Sequence, residues 1–268
     1  MICPGLAAMS LLLVKISAGI LVGTLIGLTG LGGGAALLPI LIFVLRVQPL
    51  YAVGSAVAFN ALTKIGAGLM HWRYRNVDWR LVLLLAMGSL PGSFCGIALL
   101  AHWRSLYGNG VNNILRAAIG VLLICMPVLY FAERFLARDL LQLNRPQRLP
   151  SIGISLIGLV GGLLVGMSSV GSGTIVMLFL MMFVRRSPAT LVGTNIVHAI
   201  VLTAFASLLH LRLGTVDSTL VFPLLVGSLP GSVLGAQLTQ RLPSHWIQGA
   251  LYIVLFAMGI GMSLGILK

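Results

Sequence analysis

The sequence predicts an all-α polytopic membrane protein made of two homologous repeats, read as inverted. Each repeat holds a glycine-broken re-entrant or short helix beside full-length transmembrane helices. Three observations carry this reading: a composition that suits no aqueous surface, ten apolar segments, and one constant offset that lays the second half of the chain on the first.

Of the 268 residues, 59% are hydrophobic and only 8% are charged, whereas a water-soluble domain carries roughly a quarter charged residues. The acids are four, Asp78, Glu133, Asp139 and Asp217, too few to dress an exterior in water, so the solvent is lipid. The formal charge of +13 would point to nucleic acid in a soluble protein. Here the basic residues sit in short connectors between apolar runs, as the positive-inside bias requires, and no nucleic-acid partner is expected. The longest connector, Glu133–Pro150, carries Arg134, Arg138, Arg145 and Arg148 without a basic stripe interleaved with aromatics. Cys3, Cys95 and Cys125 have no paired or metal-type spacing, and Cys95 and Cys125 read as packed thiols. No metal and no cofactor are expected.

The ten apolar segments cover about 6–30, 35–45, 51–70, 81–101, 113–132, 151–168, 174–184, 189–209, 218–239 and 247–267. Most reach the roughly 20 residues a helix needs to cross ~30 Å of hydrocarbon. Segments 35–45 and 174–184 are too short, and each follows a glycine-rich break. The breaks are Thr29-Gly30-Leu31-Gly32-Gly33-Gly34 and Ser168-Ser169-Val170-Gly171-Ser172-Gly173. The first segment lacks the basic start and cleavage site of a signal peptide and is kept as a membrane segment.

Adding 139 to a residue number maps 27–96 on 166–235 without a gap, with 24 identities over 70 positions. The matches include Gly27 with Gly166, Gly32 with Gly171, Gly34 with Gly173, His71 with His210, Arg73 with Arg212, and Asp78 with Asp217. The hexapeptide Gly-Ser-Leu-Pro-Gly-Ser recurs whole at 88–93 and 227–232. Shared hydrophobicity produces chance matches among Leu, Val and Ala, not a register of Gly, Pro, His, Arg and Asp. The domain plan is a first transmembrane repeat over 1–135, a cytoplasmic connecting loop over 136–150 and a second repeat over 151–268.

Orientation turns on the two short segments. As one continuous helix, residues 152–184 would span about 50 Å at 1.5 Å per residue, too long for one crossing. A re-entrant hairpin leaves three crossings per repeat and inverts the second copy; one broken crossing would leave four and keep the copies parallel. The length favours the hairpin. In either scheme loops 71–80 and 133–150 share one side, which their charge marks as cytoplasmic.

A short glycine-interrupted segment at matching places in two halves points to the binding site of a secondary transporter. In lipid every backbone N–H and C=O needs a partner, so such a break is tolerated only inside protein or beside a wet cavity. It also frees the N-terminus of the following half-helix, with partial positive charge and open N–H donors. Two such termini, after Gly34 and Gly173, can converge on one anion. The bland alternative is close helix packing, and it is the better reading for Gly19, Gly23 and Gly27.

These residues resemble the TauE/SafE family of sulfite and organosulfur-anion exporters. The resemblance rests on the duplicated halves, the opening Gly-Leu-Thr-Gly-Leu-Gly-Gly-Gly followed by Pro39, and the repeated Gly-Ser-Leu-Pro-Gly-Ser with its trailing Gly96 and Gly235. It covers nearly the whole chain. The second half departs from the pattern at Ser168, Ser169, Ser172 and Leu178. The resemblance implies a multi-pass protein of the bacterial inner membrane that moves sulfite, sulfoacetate, related sulfonates or other small anions.

Candidate substrate-binding residues are therefore Thr29, Gly32, Gly33 and Gly34 at the first break, and Ser168, Ser169, Gly171, Ser172, Gly173 and Thr174 at the second. Asn60, Lys64, Asn195 and His198 join them from neighbouring apolar segments. An intramembrane lysine is costly and is a functional candidate by default, with snorkelling to an interface as the competing reading of Lys64. Asn60 and Asn195 serve equally as interhelical hydrogen-bonding groups, and His198 either relays a proton or is a satisfied interior histidine. His71 and His210 read as helix ends, and Asp78 and Asp217 as N-caps.

No carboxylate lies within the apolar segments, which disfavours an acid-coupled pump and an intramembrane aspartyl protease. No clustered nucleophile or metal set speaks for an enzyme. The expected function is secondary transport of small anions, most simply export. A channel and a non-transporting scaffold are the alternatives. The expected partners are a small anionic substrate and the lipid bilayer, with homo-oligomerisation left open.

Overall fold

The structure, a computed structural model, describes residues 4–29, 34–143, 150–171, 173–239 and 244–263. Among these residues all regular structure is helical. Helix α1 covers Pro4–Thr29, and α2 covers Gly34–Pro39 and runs on as a π-type turn over Ile40–Val44. Then come α3 (Pro49–Arg73), α4 (Trp79–Tyr107), a single 3-10 turn, and α5 (Val111–Leu143). The second half holds α6 (Ser151–Ser168), α7 (Thr174–Phe183), α8 (Pro188–Arg212), α9 (Ser218–Thr239) and α10 (Ser244–Ser263). Five helical stretches are long and apolar enough to cross a membrane: Pro49–Arg73, Trp79–Val128, Ser151–Ser168, Pro188–Arg212 and Ser218–Gly235.

Local chemistry sets the helix ends. Pro49 and Pro188 occupy the first turns of α3 and α8, where a missing N–H costs nothing and φ is already helical. Asp78 caps α4 by accepting from the Arg80 and Leu81 amides. Asp217 accepts from Thr219 N at 2.8 Å in the same way, and Ser187 Oγ accepts from Thr190 N to cap α8. One boundary differs from the expectation. Helix α5 continues to Leu143, through most of the stretch 133–150 read as loop. The reason is local: Ala132 to Leu143 holds good helix formers and no glycine or proline, and the first breaker is Pro146.

The bundle is built on two close helix pairs, α1 with α9 and α4 with α6, while α3 crosses α8 and α5 lies beside α10. Each close pair runs parallel and is set by glycine. A Cβ at Gly158, Gly162 or Gly166 would run into the carbonyls of Leu85, Ser89 and Ser93 on α4. On the other pair, Gly19 and Gly23 meet the carbonyls of Leu224 and Ser228. Subtracting 139 from Gly158 and Gly162 gives Gly19 and Gly23, and adding it to Leu85 and Ser89 gives Leu224 and Ser228. Gly19 and Gly23 thus work in packing. Where α3 crosses α8 the chains run antiparallel: Gly54 abuts Thr215, and Gly193 abuts Asn76.

The outward surface is apolar, with Leu83, Met87, Phe94, Phe222 and Leu229 more than half exposed, as a lipid-facing wall must be. The thiols of Cys95 and Cys125 lie on that surface instead of packing inside. Helices α4 and α9 continue through Pro91 and Pro230.

Candidate functional site

Helix α6 ends inside the bundle. It packs along α4 with Gly166 level with Ser93, so it stops well short of Tyr107, where α4 ends. Its last turn is closed by side chains: Ser168 Oγ donates to Leu164 O at 2.7 Å and accepts from Val170 N at 3.3 Å. Ser169 takes the left-handed conformation with φ 58° while its amide donates to Val165 O, a common helix stop. Gly171 follows with φ 103°, a conformation other residues rarely adopt. Helix α7 then begins at Thr174.

Two helices from different halves hold this break. Asn60 on α3 donates from Nδ2 to Ser169 Oγ at 3.3 Å, and Asn195 on α8 donates from Nδ2 to Gly173 O at 2.7 Å. A turn further along α8, His198 shares a 2.8 Å hydrogen bond between Nε2 and Ser89 Oγ of α4. Lys64, one turn after Asn60, is buried at 9% exposure. Asn60, Ser89, Ser168, Ser169, Thr194, Asn195 and His198 are all buried. Deeper support comes from His210, whose Nε2 donates to Gly166 O at 3.0 Å while Nδ1 meets Thr215 Oγ1 at 2.8 Å. That bridge ties α8 to α6 just before the break, a larger role than a helix-end dipole contact.

Three buried atoms of this cluster have no hydrogen-bond partner in the protein: Asn60 Oδ1, Asn195 Oδ1 and His198 Nδ1. Leaving such a group unsatisfied costs about 1–3 kcal/mol. Because serine both donates and accepts, Asn60 holds Ser169 with either end of its amide and turns the other to the site. For the same reason His198 keeps Ser89 with either tautomer, so Nδ1 presents a donor or an acceptor. The arrangement offers one buried ammonium, adjustable amide and imidazole groups and two hydroxyls, and no carboxylate. It suits an anion with several oxygens.

Of the residues singled out in the sequence, Asn60, Lys64, Ser168, Ser169, Gly171, Gly173, Asn195 and His198 gather at the second break. Thr174 opens α7, Thr29 closes α1 and Gly34 opens α2. Gly32, Gly33 and Ser172 lie outside the described residues. Ser89 was missed, since its hexapeptide recurs in both halves and reads as scaffold. Helix α2 places Leu37, Leu38 and Leu41 in the large apolar cluster that also holds Phe59. Among the described residues no group of three or more His, Cys, Asp or Glu is placed to hold a metal ion.

Comparison with known proteins gives a consistent picture. The model of the family described as sulfite exporter TauE/SafE matches residues 15–262. A probable membrane transporter protein of Bacillus subtilis, YjnA, is 34% identical over 247 residues, covering 90% of this chain and 96% of that protein. A second from the same organism, YdhB, is 23% identical and covers 87% and 92%. A probable membrane transporter protein of Haemophilus influenzae is 25% identical and covers 92% and 96%. No solved structure matches the chain.

Proposed function

The chain belongs to the sulfite exporter TauE/SafE family, and from that premise we propose that it is a secondary transporter exporting small oxyanions such as sulfite, sulfoacetate or related organosulfur compounds. The observation that carries the proposal is the buried polar cluster at the α6–α7 break: Lys64 with Asn60, Ser169, Asn195 and His198, three of whose atoms have no protein partner. An oxyanion bound there would accept from the amide and imidazole groups whose atoms have no protein partner. The membrane potential of a bacterial inner membrane favours exit of an anion by about 2.3 kcal/mol per charge per 100 mV, so export needs no coupled ion.

The proposed architecture is two inverted repeats around this site. The antiparallel crossing of α3 and α8, which occupy matching positions 139 residues apart, supports inversion. So does the reciprocal use of side chains: Thr194 Oγ1 accepts from Asp78 N at 2.9 Å, and Ser55 Oγ accepts from Asp217 N at 3.0 Å. A re-entrant course for α6–α7 is supported by one cavity that Ser151, at the start of α6, lines together with Phe183, at the end of α7. Rocking of one repeat against the other around a midplane site is the motion this plan permits.

The test is flux in liposomes against a panel of sulfite, sulfoacetate, thiosulfate, sulfate and chloride. A carrier gives saturable flux of sulfite or a sulfonate that speeds up when the same anion is present on the far side. Flux that neither saturates nor responds to trans anion would make the protein a channel. No flux of any anion would remove the transport reading and leave a scaffold.

A further inference from the structure

A second basic feature lies away from the break. A cavity of about 260 Å³ opens where α4 and α6 begin and α7 ends. Arg80, Arg185, Arg186 and Asp78 line it together with Leu84 and Ile154, three guanidinium groups to one carboxylate. Arg186 Nε donates to Asp78 Oδ2 at 2.8 Å, with the Asp78 side chain 14% exposed and that of Arg186 54%. This is the one ion pair found among the described residues. The carboxylate does two jobs, since its Oδ1 caps α4.

Among the described residues the matching end of the molecule lacks this ion pair. Asp217 caps α9 and takes the same cross-contact to Ser55, but the residue 139 before Arg186 is Val47. The ion pair, like the Arg80 guanidinium whose counterpart is Thr219, belongs to one of the two ends, and the cavity lies beside it. Guanidinium groups offer planar pairs of donors that match oxyanions. Using Nε for Asp78 leaves the two Nη groups of Arg186 turned to other ligands. Helix α7 spans about 15 Å at 1.5 Å per residue, and the residue before it, Gly173, is held by Asn195 at the break. It connects the two places directly.

We propose that this cavity is a second, outer anion site, in which Arg80, Arg185 and Arg186 receive an oxyanion that competes with Asp78 for Arg186. Occupancy releases the end of α7 from the start of α4, and α7 carries that release to the break. The outer, loading role rests on the transport reading above; binding of an oxyanion at the cavity does not. A soluble oxyanion and the phosphate of an anionic lipid share the required chemistry.

Trp79 adjoins Asp78 and is 52% exposed, so a protein with Trp72, Trp103 and Trp246 changed to Phe reports locally. In neutral detergent, sulfate and inorganic phosphate should each change Trp79 fluorescence saturably. Arg80→Gln with Arg185→Gln should weaken that binding at least tenfold. Asp78→Asn keeps a good N-cap and removes the competitor, so it should tighten binding by about two- to fivefold, the scale of an exposed pair. Lys64→Ala, at the break, should leave the Trp79 titration unchanged. A response indifferent to the arginine changes overturns the site. A response to phosphatidylglycerol but to neither soluble anion overturns the loading role and assigns the cavity to a lipid headgroup. If liposomes show no flux while the Trp79 titration stands, the transport reading has failed and the outer site has not.

Discussion

The two breaks sit at matching places in the sequence, yet the polar positions around the second have almost wholly apolar counterparts in the other half. Around the second lie Asn195 and His198 of α8 and Asn60 and Lys64 of α3. Moved by 139, those positions become Ala56, Phe59, Ala199 and Thr203. All four counterparts are at most 1% exposed. Phe59 joins the apolar cluster, and Thr203 satisfies itself by donating to Ala199 O at 2.6 Å. One set of positions keeps buried polar atoms without protein partners, and the counterpart set is apolar except for a hydroxyl that is already used. Matching scaffolds therefore do not entail two sites. The glycine contacts, the aspartate caps and the α3–α8 crossing are held in common, while the buried polar groups of both halves gather at one break.

The largest expected effect comes from replacing residues of the proposed site by their counterparts 139 positions away. Lys64→Thr should lower sulfite flux in liposomes by about 30-fold or more, the scale of 2 kcal/mol or above for losing a buried charged partner, and His198→Phe by about fivefold or more, the scale of 1 kcal/mol or above for losing a buried hydrogen-bonding group. Thr203→Ala, at the position matching Lys64, should leave flux within about twofold. Equal losses at 64 and 203 would mean that both sets of matching positions take part in binding and would end the one-site view.

A smaller effect tests what the halves share. Gly23→Ala and Gly162→Ala each force a Cβ against a serine backbone, of Ser228 and Ser89, which a side-chain rearrangement does not relieve. Each should destabilise the protein by about 1–3 kcal/mol, read as thermal unfolding in detergent. Gly66→Ala, with no atom within 4 Å of the added Cβ, should be neutral or slightly stabilising. A large difference between the Gly23 and Gly162 variants would show that the two close helix pairs are not equivalent supports.

Helix positions were largely legible in the sequence, because glycine, proline and the aspartate caps punctuate apolar runs of membrane length. The end of α5 was not: charged residues from Glu133 to Asp139 read as connector, although a helix leaving the membrane accommodates them well. At the site, Asn60, Lys64, Asn195 and His198 stood out as polar groups in apolar segments. Ser89 did not, since its pairing with His198 spans 109 positions in sequence and its motif is common to both halves. The Asp78–Arg186 pair spans 108 positions and was hidden for the same reason. Local pattern reveals which residues are unusual; only the fold reveals which of them meet. The orientation of Cys95 toward the outer surface is likewise set by the α4–α6 contact, which consumes the glycine face of α4 and turns the thiol away.

The smallest effect separates the two aspartates. Asp78→Asn and Asp217→Asn both retain a side-chain oxygen for the cap, so any difference between them measures the ion pair with Arg186. An exposed pair of this kind is worth about 0.2–1 kcal/mol, and only Asp78→Asn should show that loss in thermal unfolding. The pH dependence carries a sign. Burial alone would raise the Asp78 pKa, but the Arg186 guanidinium and the Leu81 and Arg80 amides outweigh it and hold the carboxyl below its ordinary 3.8. A carboxyl depressed on folding contributes stability above its unfolded pKa and loses it as pH falls through the folded value. The stability gap between wild type and Asp78→Asn should therefore stay constant from pH 7 to about pH 5 and close only in more acidic solution. A gap that closes near neutrality would show that the carboxylate is not held by Arg186, and the contrast between the two aspartates would fall.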